Sequence, residues 1–551
     1  MPTLNWIGKE KVQTHHLDVP YRVMEHGYGF THDDGEQFDP VDSGNKIIYG
    51  DNLEALKSLL PFYEGKVDCI YIDPPYNTGN EQWVYNDNVN HPKIKRWLGQ
   101  VVGKESEDLS RHDKWLCMMY PLLQLLKQLL SNTGVIFISI NYFEDSSLKL
   151  ICDEIFGRSN FISQLAVINN PKGRSDDKYI ATAHESILIY RKSNKVITYG
   201  FDAEEKITKR YNRKDDRGLY REIDLRKTGD SDTRKARPNM FYPFFWSETN
   251  QQLFLDKGNL SDCIEILPIK NSETDGRWRW GKDTAQKDLD RLYARYMPNK
   301  KQWSVFEKDY LEGRDDVKPT TVWDFKDVNS ERGTEIFKNL DFKTEDFPNP
   351  KPVGTIERVL TVATKSNPDA IILDSFAGSG TTAHAALNLN KQDGGNRKFI
   401  LVELEDYANT ITAERVKRVI DGYGEGDNFV EGTGGNFNFY TLGQSLLDDE
   451  RNLNIEMPID AVCSYIWYTE THTAYTNSIQ LLPLLGVYEN TAYYLNYIPN
   501  EVTTLDRNFL KGIDIKASQY IIYADNCLLP KELMQKYNIV FKKIPRDISQ
   551  F

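Results

Sequence analysis

Four consecutive residues, Asp73, Pro74, Pro75 and Tyr76, have the side chains needed to hold and orient an amino group. Two adjacent prolines cannot continue a β-ladder, and they stiffen the chain. The Asp73 carboxylate and the Pro74 carbonyl are therefore expected to be neighbouring acceptors for an exocyclic NH2 group, with the Tyr76 ring free to stack on a planar partner. A rigid loop without chemistry is the alternative interpretation, but an aspartate directly after a buried strand favours the chemical one.

A second candidate site is the segment from Asp374 to Thr382, in which Gly378 and Gly380 follow an apolar run. Glycines let the backbone approach a ligand closely, and the start of the following helix supplies free N–H donors. The segment is not a P-loop, because no lysine follows the glycines, and it lacks the third glycine of a dinucleotide fingerprint. Tight strand-to-helix packing explains many such turns, so the segment alone predicts a ligand site only weakly.

The acid Glu403 strengthens this prediction. It ends the next predicted strand, 23 positions after Gly380. An acid at this place in a nucleoside-binding sheet accepts hydrogen bonds from ribose hydroxyls. An ordinary surface acid at a strand end is the alternative.

The elements that must position these residues form two blocks of alternating strands and helices. In the first block we predict strands at 46–51, 67–72 and 135–140 and helices at 52–60 and 113–130, with Gly134 ending the second helix. In the second block we predict helices at 352–364 and 381–389 and strands at 370–373 and 399–402. The two blocks predict one doubly wound α/β sheet, interrupted in sequence but continuous in space, with ligand sites at the carboxyl ends of its strands.

Composition describes a globular chain, with 40% hydrophobic and 27% charged residues. The net charge of −13 argues against a nucleic-acid partner, but the middle of the chain is basic. Residues 206–237 hold twelve lysines and arginines against six acids, and residues 273–301 hold eight against five. A solvated mixed-charge surface is the alternative for either stretch.

Six scattered cysteines without a Cys-x-x-Cys pair argue against zinc and against a disulfide framework, so no metal is expected and a reducing cytoplasm is the simplest compartment. The leucine-rich segment 118–130 is too interrupted by polar residues to span a bilayer. The N-terminus shows no basic region followed by an apolar run, so no secretion signal is expected.

The motifs and their order resemble the amino-methyltransferases that act on DNA. Asp73–Tyr76 matches their catalytic motif, Phe376–Gly380 their cofactor motif, and Pro348–Pro352 their Pro-x-x-Lys-Pro element. A catalytic motif first, a basic insertion second and a cofactor motif last is the order of the family's β class.

More particular likenesses lie around the catalytic motif and at the chain ends. The context Asp73–Asn80, the start Asn5–Lys9 and the ending Phe541–Ile548 are similar to the modification subunit of type III restriction–modification systems. The resemblance implies a Rossmann-like methyltransferase sheet with a target-recognition insertion and a small C-terminal α/β domain. The implied boundaries are 1–45 for an N-terminal extension, 46–190 for the catalytic half, 191–346 for the insertion, 347–425 for the cofactor half and 440–551 for the C-terminal domain.

The resemblance also implies a role for each site residue. Asp73, Pro74, Pro75 and Tyr76 would be catalytic, with Asp73 and Pro74 orienting the target amine and Tyr76 stacking on the flipped base. The residues implied around S-adenosylmethionine are Asp51, Lys351, Asp374, Phe376, Gly378, Ser379, Gly380, Thr381 and Glu403. Within the insertion, the run from Arg277 to Trp280 is one candidate for contacts with DNA.

The implied activity is methylation of adenine N6 in double-stranded DNA. Methylation at cytosine C5 needs a cysteine, usually after proline, and no Pro-Cys pair occurs. Cytosine N4 methylation uses the same geometry, but in this family Asp in the first motif position suggests adenine. Enzymes that methylate protein amides carry Asn there and need no long basic insertion.

The type III resemblance further implies a homodimer bound to a helicase–nuclease subunit. A solitary DNA amino-methyltransferase without a nuclease partner is one alternative. A DNA-specificity protein without enzymatic activity is the other.

Overall fold

The computed structural model describes residues 3–78, 110–173, 178–202, 210–258, 261–271, 274–312, 316–448, 452–454, 456–475 and 482–544. Several residues used above lie outside this described part: Gly79, Asn80, Lys206, Lys209, Glu273 and residues 545–548. The chain divides into two compact units. One comprises Met1–Tyr199 and Thr320–Phe551, and the other comprises Gly200–Pro319.

A mixed β-sheet forms the centre of the first unit. Its strands are β1 (Arg22–Thr31), β2 (Gly35–Gln37), β3 (Lys46–Tyr49), β4 (Val67–Ile72), β5 (Leu130–Ile140), β6 (Phe161–Val167), β7 (Glu185–Arg191), β8 (Val322–Trp323), β9 (Ile371–Asp374), β10 (Lys398–Glu403) and β11 (Asn436–Ser445). Their spatial order is β8-β6-β7-β5-β4-β9-β10-β3-β11-β1-β2. The consecutive neighbours from β5 to β11 in this order are parallel. The prediction of one doubly wound sheet, continuous in space, is confirmed.

Six helices accompany the sheet: α1 (Asn52–Tyr63), α2 (Arg111–Leu129), α3 (Asp145–Cys152), α4 (Val353–Thr364), α5 (Thr381–Asp393) and α6 (Glu414–Asp421). Further helices lie at Lys9–Val12, His15–Asp18 and Ser330–Asn339. The core strands are apolar runs because parallel strands covered on both faces have no polar face to show to water. Helix α2 begins with a capping box between Ser110 and Asp113.

The predicted role of Gly134 was wrong. Helix α2 ends at Leu129 and passes directly into β5, so Gly134 lies inside the strand and does not end the helix. A Cβ at Gly134 would lie 2.7 Å from the carbonyl oxygen of Val67, so the glycine allows β4 and β5 to approach.

Segments outside the two predicted blocks also join the sheet. The N-terminal residues 1–45 supply β1 and β2, and β11 pairs between β3 and β1. The second unit, Gly200–Pro319, spans fewer residues than the insertion 191–346 expected from sequence. Part of that range belongs to the first unit, because β8 (Val322–Trp323) pairs with β6. The glycine-rich residues 422–435 contain a short strand pair, Gly422–Tyr423 with Val430–Glu431.

The second unit is built from short antiparallel sheets. Four strands lie in the order Leu292–Met297, Gln302–Tyr310, Gly218–Asp224 and Arg213–Asp215, and three in the order Gln252–Phe254, Phe244–Ser247 and Cys263–Ile266. Strand pairs form between Ile269–Asn271 and Thr274–Asp275 and between Phe201–Asp202 and Asp316–Val317, and one helix spans Lys282–Lys287.

Trp278 of the candidate DNA-contact run belongs to the core of this second unit. It is 1% exposed, and its indole N–H donates to the Tyr242 carbonyl at 2.7 Å. The prediction of Trp278 as a DNA contact was therefore wrong, because the sequence pattern cannot tell an aromatic of the core from one of the surface. Arg279 remains partly exposed and lies 3.7 Å from Glu307.

The C-terminal part of the first unit is a small α/β layer. A helix, Ile459–Thr471, precedes a sheet ordered Leu484–Tyr488, Thr491–Leu495, Gln519–Ala524 and Ile539–Lys543. Thr504–Leu505 pairs with Asn526–Cys527, and helices span Arg507–Lys511 and Lys531–Lys536. Tyr493, Tyr494 and Tyr523 are buried in this layer, so they fill its core and offer no contact surface. No helix among the described residues is long and apolar enough to cross a membrane.

Candidate active site

The two motifs meet at the centre of the sheet, although Asp73 and Asp374 are about 300 positions apart in sequence. Strands β4 and β9 are parallel neighbours, with Ile372 opposite Cys69. Both aspartates therefore leave the sheet at the same edge. The chain winds away from this pair in opposite directions, to β5 from β4 and to β10 from β9, so the crevice between the strands is where a doubly wound sheet binds its ligand.

A cavity lies at this edge. It is lined by Tyr71, Asp73, Phe347, Asn349, Lys351, Asp374, Phe376, Ala377, Gly378, Ser379, Thr381 and Thr382. Seven predicted site residues are among them, from both the catalytic motif and the cofactor motif. Among the described residues no cluster of His, Cys, Asp or Glu has the arrangement of a metal site.

Asp73 lies directly after β4 and is 6% exposed. Its Oδ1 is 3.4 Å from Lys351 Nζ, and it has no hydrogen-bond partner in the described part of the chain. A buried acceptor without a donor costs free energy, so its presence marks a place where a ligand's N–H could bind. Burial raises the pKa of Asp73 to about 6; Lys351 opposes this shift and Glu185 adds to it.

The prolines and Tyr76 are held by the surrounding elements. Trp115 of α2 donates its indole N–H to the Pro75 carbonyl at 2.6 Å. The Tyr76 hydroxyl donates to Glu185 Oε2 at 2.9 Å and accepts a hydrogen bond from Lys351. The two residues Pro75 and Tyr76, which follow Asp73, are therefore held by contacts with three other parts of the chain.

The Lys351 ammonium group lies between two carboxylates, those of Asp73 and Glu185. Its Nζ donates to Glu185 Oε2 at 2.6 Å and lies 5.0 Å from the centre of the Tyr76 ring. Burial acts to lower the pKa of Lys351, but the charges of Asp73 and Glu185 raise it above its ordinary value. Lys351 therefore remains an ammonium ion and links the Pro-x-x-Lys-Pro element to the catalytic motif.

The glycine turn connects β9 to α5 with two residues of positive φ, Gly378 at 54° and Gly380 at 80°. The Gly378 N–H donates to Glu403 Oε2 at 2.8 Å, and Thr412 donates to the Gly378 carbonyl at 2.5 Å. A Cβ at Gly380 would lie 3.0 Å from the Thr412 carbonyl oxygen. Only glycine fits this turn without strain.

Asp374 begins the glycine turn and is hydrogen-bonded to residues on both sides of its glycines. Its carboxylate accepts hydrogen bonds from Thr382 Oγ1 at 2.5 Å and from the Phe376 N–H at 3.0 Å. Burial raises the pKa of Asp374 to about 7, against the effect of these two donors. The side chain thus fixes both the beginning of the turn and the first turn of α5.

Asp51 lies after β3 and caps α1. Its Oδ1 accepts hydrogen bonds from the N–H groups of Leu53 at 2.9 Å and Glu54 at 3.1 Å. The adjacent Asn52 donates to the Ser375 carbonyl at 2.5 Å. The predicted cofactor residue therefore sits beside the glycine turn, but its carboxylate does not line the cavity.

Two residues at this site, Glu185 and Arg415, lie outside the predicted motifs. Arg415 of α6 is fully buried and donates to Ser379 Oγ at 2.7 Å and to Thr381 Oγ1 at 2.8 Å. Burial lowers the pKa of Arg415 to about 10, which leaves it charged at neutral pH. Glu185 is a buried acid at the start of β7, directly before the strand's apolar middle, and a charge next to such a run was the one signal that could have drawn attention to it.

Comparison with known proteins identifies one family over most of the chain. Residues 67–414 match a family model described as DNA methylase. The chain is 34% identical over 422 residues to the type III restriction-modification enzyme EcoPI Mod subunit of Escherichia phage P1, covering 74% of this chain and 64% of that protein. It is 36% identical over 379 residues to the type II methyltransferase M.KpnI of Klebsiella pneumoniae, covering 68% of this chain and 84% of that protein.

A third relative is the type III restriction-modification enzyme StyLTI Mod subunit of Salmonella typhimurium, at 32% identity over 399 residues. The match covers 69% of this chain and 55% of that protein. The chain therefore matches between about half and two thirds of the length of these two type III subunits.

Proposed function

Because this chain belongs to the DNA methylase family, we propose that it transfers a methyl group from S-adenosylmethionine to the N6 amine of adenine in double-stranded DNA. The observation that carries the proposal is the buried Oδ1 of Asp73, which accepts no hydrogen bond from the described residues and lies at a cavity that the glycine turn also lines. Asp73 can accept a hydrogen bond from the amine, while the glycine turn on the other side of the same cavity holds the methyl donor.

The residues present fit the methyl donor. The turn at Gly378 and Gly380 lets the backbone approach a ligand, and Ser375 has a buried hydroxyl without a hydrogen-bond partner in the described part of the chain. When bound, S-adenosylmethionine supplies an electrophilic methyl group. Of the residues implied for it, Asp374, Phe376, Gly378, Ser379 and Thr381 line the cavity, and Gly380 and Glu403 shape the turn beside it. These residues would hold the methyl donor.

The protein's part in the reaction is alignment. The lone pair of an adenine N6 is delocalised into the ring, and two acceptors, Asp73 and the Pro74 carbonyl, turn it towards the methyl carbon by holding both amine hydrogens. The negative charge of Asp73 stabilises positive charge that develops on the nitrogen. A base cannot reach this crevice from within a duplex, so it is flipped out and stacks on Tyr76.

Adenine is favoured over cytosine because Asp73 stands first in the catalytic motif. The same geometry could serve cytosine N4. Mapping of modified bases in DNA from a host without its own methyltransferases, expressing this chain, decides between them. N6-methyladenine in one defined sequence is expected, the Asp73→Asn variant is the control, and N4-methylcytosine or unmodified DNA would refute the proposal.

We further propose that the unit Gly200–Pro319 reads the DNA sequence and that the chain acts as a homodimer with a helicase–nuclease subunit. The likeness to type III modification subunits supports both statements. Light scattering should give about twice 63.8 kDa, and the methyl group should fall on one strand of an asymmetric sequence. A monomer that methylates both strands of a palindrome would instead identify a solitary methyltransferase.

The rate should depend on pH through Asp73. Its pKa is raised to about 6, mainly by burial, so the carboxylate is lost as the pH falls through 6 and the amine then loses a charged acceptor. Because kcat/KM reports the free enzyme, we expect its acid limb to be centred near pH 6. A limb centred near pH 4, where an unperturbed aspartate titrates, would contradict this assignment.

A further inference from the structure

Glu185 and Asp73 share the Lys351 ammonium group, which lies closer to Glu185 than to Asp73. Glu185 begins β7 and is 6% exposed, and its Oε2 accepts hydrogen bonds from Lys351 Nζ at 2.6 Å and from the Tyr76 hydroxyl at 2.9 Å. The same Nζ lies 3.4 Å from Asp73 Oδ1, and that oxygen has no hydrogen-bond partner in the described residues. Two buried carboxylates therefore compete for one lysine, and Glu185 holds it.

We propose that Glu185 is a positioning residue for methyl transfer, which draws Lys351 away from Asp73 and so keeps the Asp73 carboxylate open to the target amine. This inference rests on the proposed function. Glu185 touches neither the amine nor the methyl donor in this assignment and acts only through Lys351 and Tyr76.

The energetics of the cluster support this role. Opposite charges attract strongly where water is excluded, and the lysine side chain is flexible enough to move. A shift of about 0.6 Å would bring Nζ from 3.4 Å to the distance of a charge-assisted hydrogen bond with Asp73 Oδ1. Such a bond would occupy the acceptor that the amine needs, and the competing charge of Glu185 prevents it.

The variant Glu185→Gln separates this role from simple support of the fold. Glutamine has nearly the same shape and can still accept a hydrogen bond from Tyr76, but it no longer competes as an anion for Lys351. We expect kcat to fall by about 10²-fold, the cost of a misplaced reacting group, while S-adenosylmethionine affinity measured by calorimetry stays at the wild-type value. Glu335→Gln, an exposed acid in the helix Ser330–Asn339, is the matched control.

Removal of the lysine provides the decisive comparison. Lys351→Met alone should lower kcat, because two buried carboxylates then face each other without a cation. In the Glu185→Gln background the same change should raise kcat, because it removes the group that blocks Asp73. The sign of the Lys351 effect should therefore reverse between the two backgrounds.

The pH profile gives an independent readout. The charged and titratable groups that face Asp73 are Lys351, Glu185, Tyr76, Tyr71 and Asp374. Since the Glu185 charge raises the pKa of Asp73, the acid limb of kcat/KM should move to lower pH in Glu185→Gln and stay in place in Glu185→Asp. A merely structural role would lower the rate without moving the limb.

Two results would overturn the inference: wild-type kcat in Glu185→Gln, or an unmoved acid limb together with no reversal of the Lys351 effect. Failure of the proposed function itself looks different, because the wild-type protein would then transfer no methyl group to DNA at any pH.

Discussion

Replacement of Asp73 by asparagine should lower the rate of methyl transfer by about 10²–10³-fold, the effect of removing one well-placed electrostatic group from a transition state. Asparagine keeps the shape of the side chain but loses the charge that stabilises positive charge on the amine. Because Asp73 is assigned to the amine and not to the donor, S-adenosylmethionine affinity should stay close to that of the wild type. Single-turnover transfer to a DNA substrate and calorimetry measure the two quantities.

The matched control for this experiment is Asp369→Asn. Asp369 is exposed and precedes β9 at its amino end, so the same chemical change is made at the opposite edge of the same sheet. It should leave the transfer rate unchanged. Near-normal turnover in folded Asp73→Asn would refute the mechanism.

Replacement of Gly380 by valine should weaken S-adenosylmethionine binding by tenfold or more, the factor that corresponds to about 1.4 kcal/mol. A left-handed backbone costs an L-residue about 1–2 kcal/mol, and a β-branched residue at φ 80° is more strained still. The added side chain also meets the Thr412 carbonyl oxygen, since a Cβ there would lie 3.0 Å away. The turn must then move, and with it the residues Gly378, Ser379 and Thr381 that line the cavity.

Gly394 provides a control with nearly the same backbone. It has φ 71° at the end of α5, and a Cβ there would meet nothing within 4 Å. Gly394→Val should therefore lower thermal stability through the same kind of strain but leave cofactor affinity intact. Equal affinity losses in both variants would show that the effect is global, and unchanged affinity in Gly380→Val would place the cofactor elsewhere.

The sequence by itself determined the local part of the site. Buried strands of four to six residues, mostly apolar, end at or directly before Asp73, Asp374 and Glu403. These ends were identified because an apolar run followed by a polar residue or a proline is a local signal. The glycine turn was equally readable, since its positive φ angles require glycine. The order of the motifs was enough to indicate the β class of DNA amino-methyltransferases.

Only the tertiary structure decided which charges meet. Lys351 was implied around S-adenosylmethionine; it lines the cavity, and its Nζ lies between Asp73 and Glu185. These three residues come from three different parts of the chain. Trp278 was offered as a DNA contact and is core, and residues 1–45 were described as an extension and supply two strands. Sheet register and long-range ion pairing depend on which strands become neighbours, and a pattern read over a window of several residues contains no information about a partner hundreds of positions away.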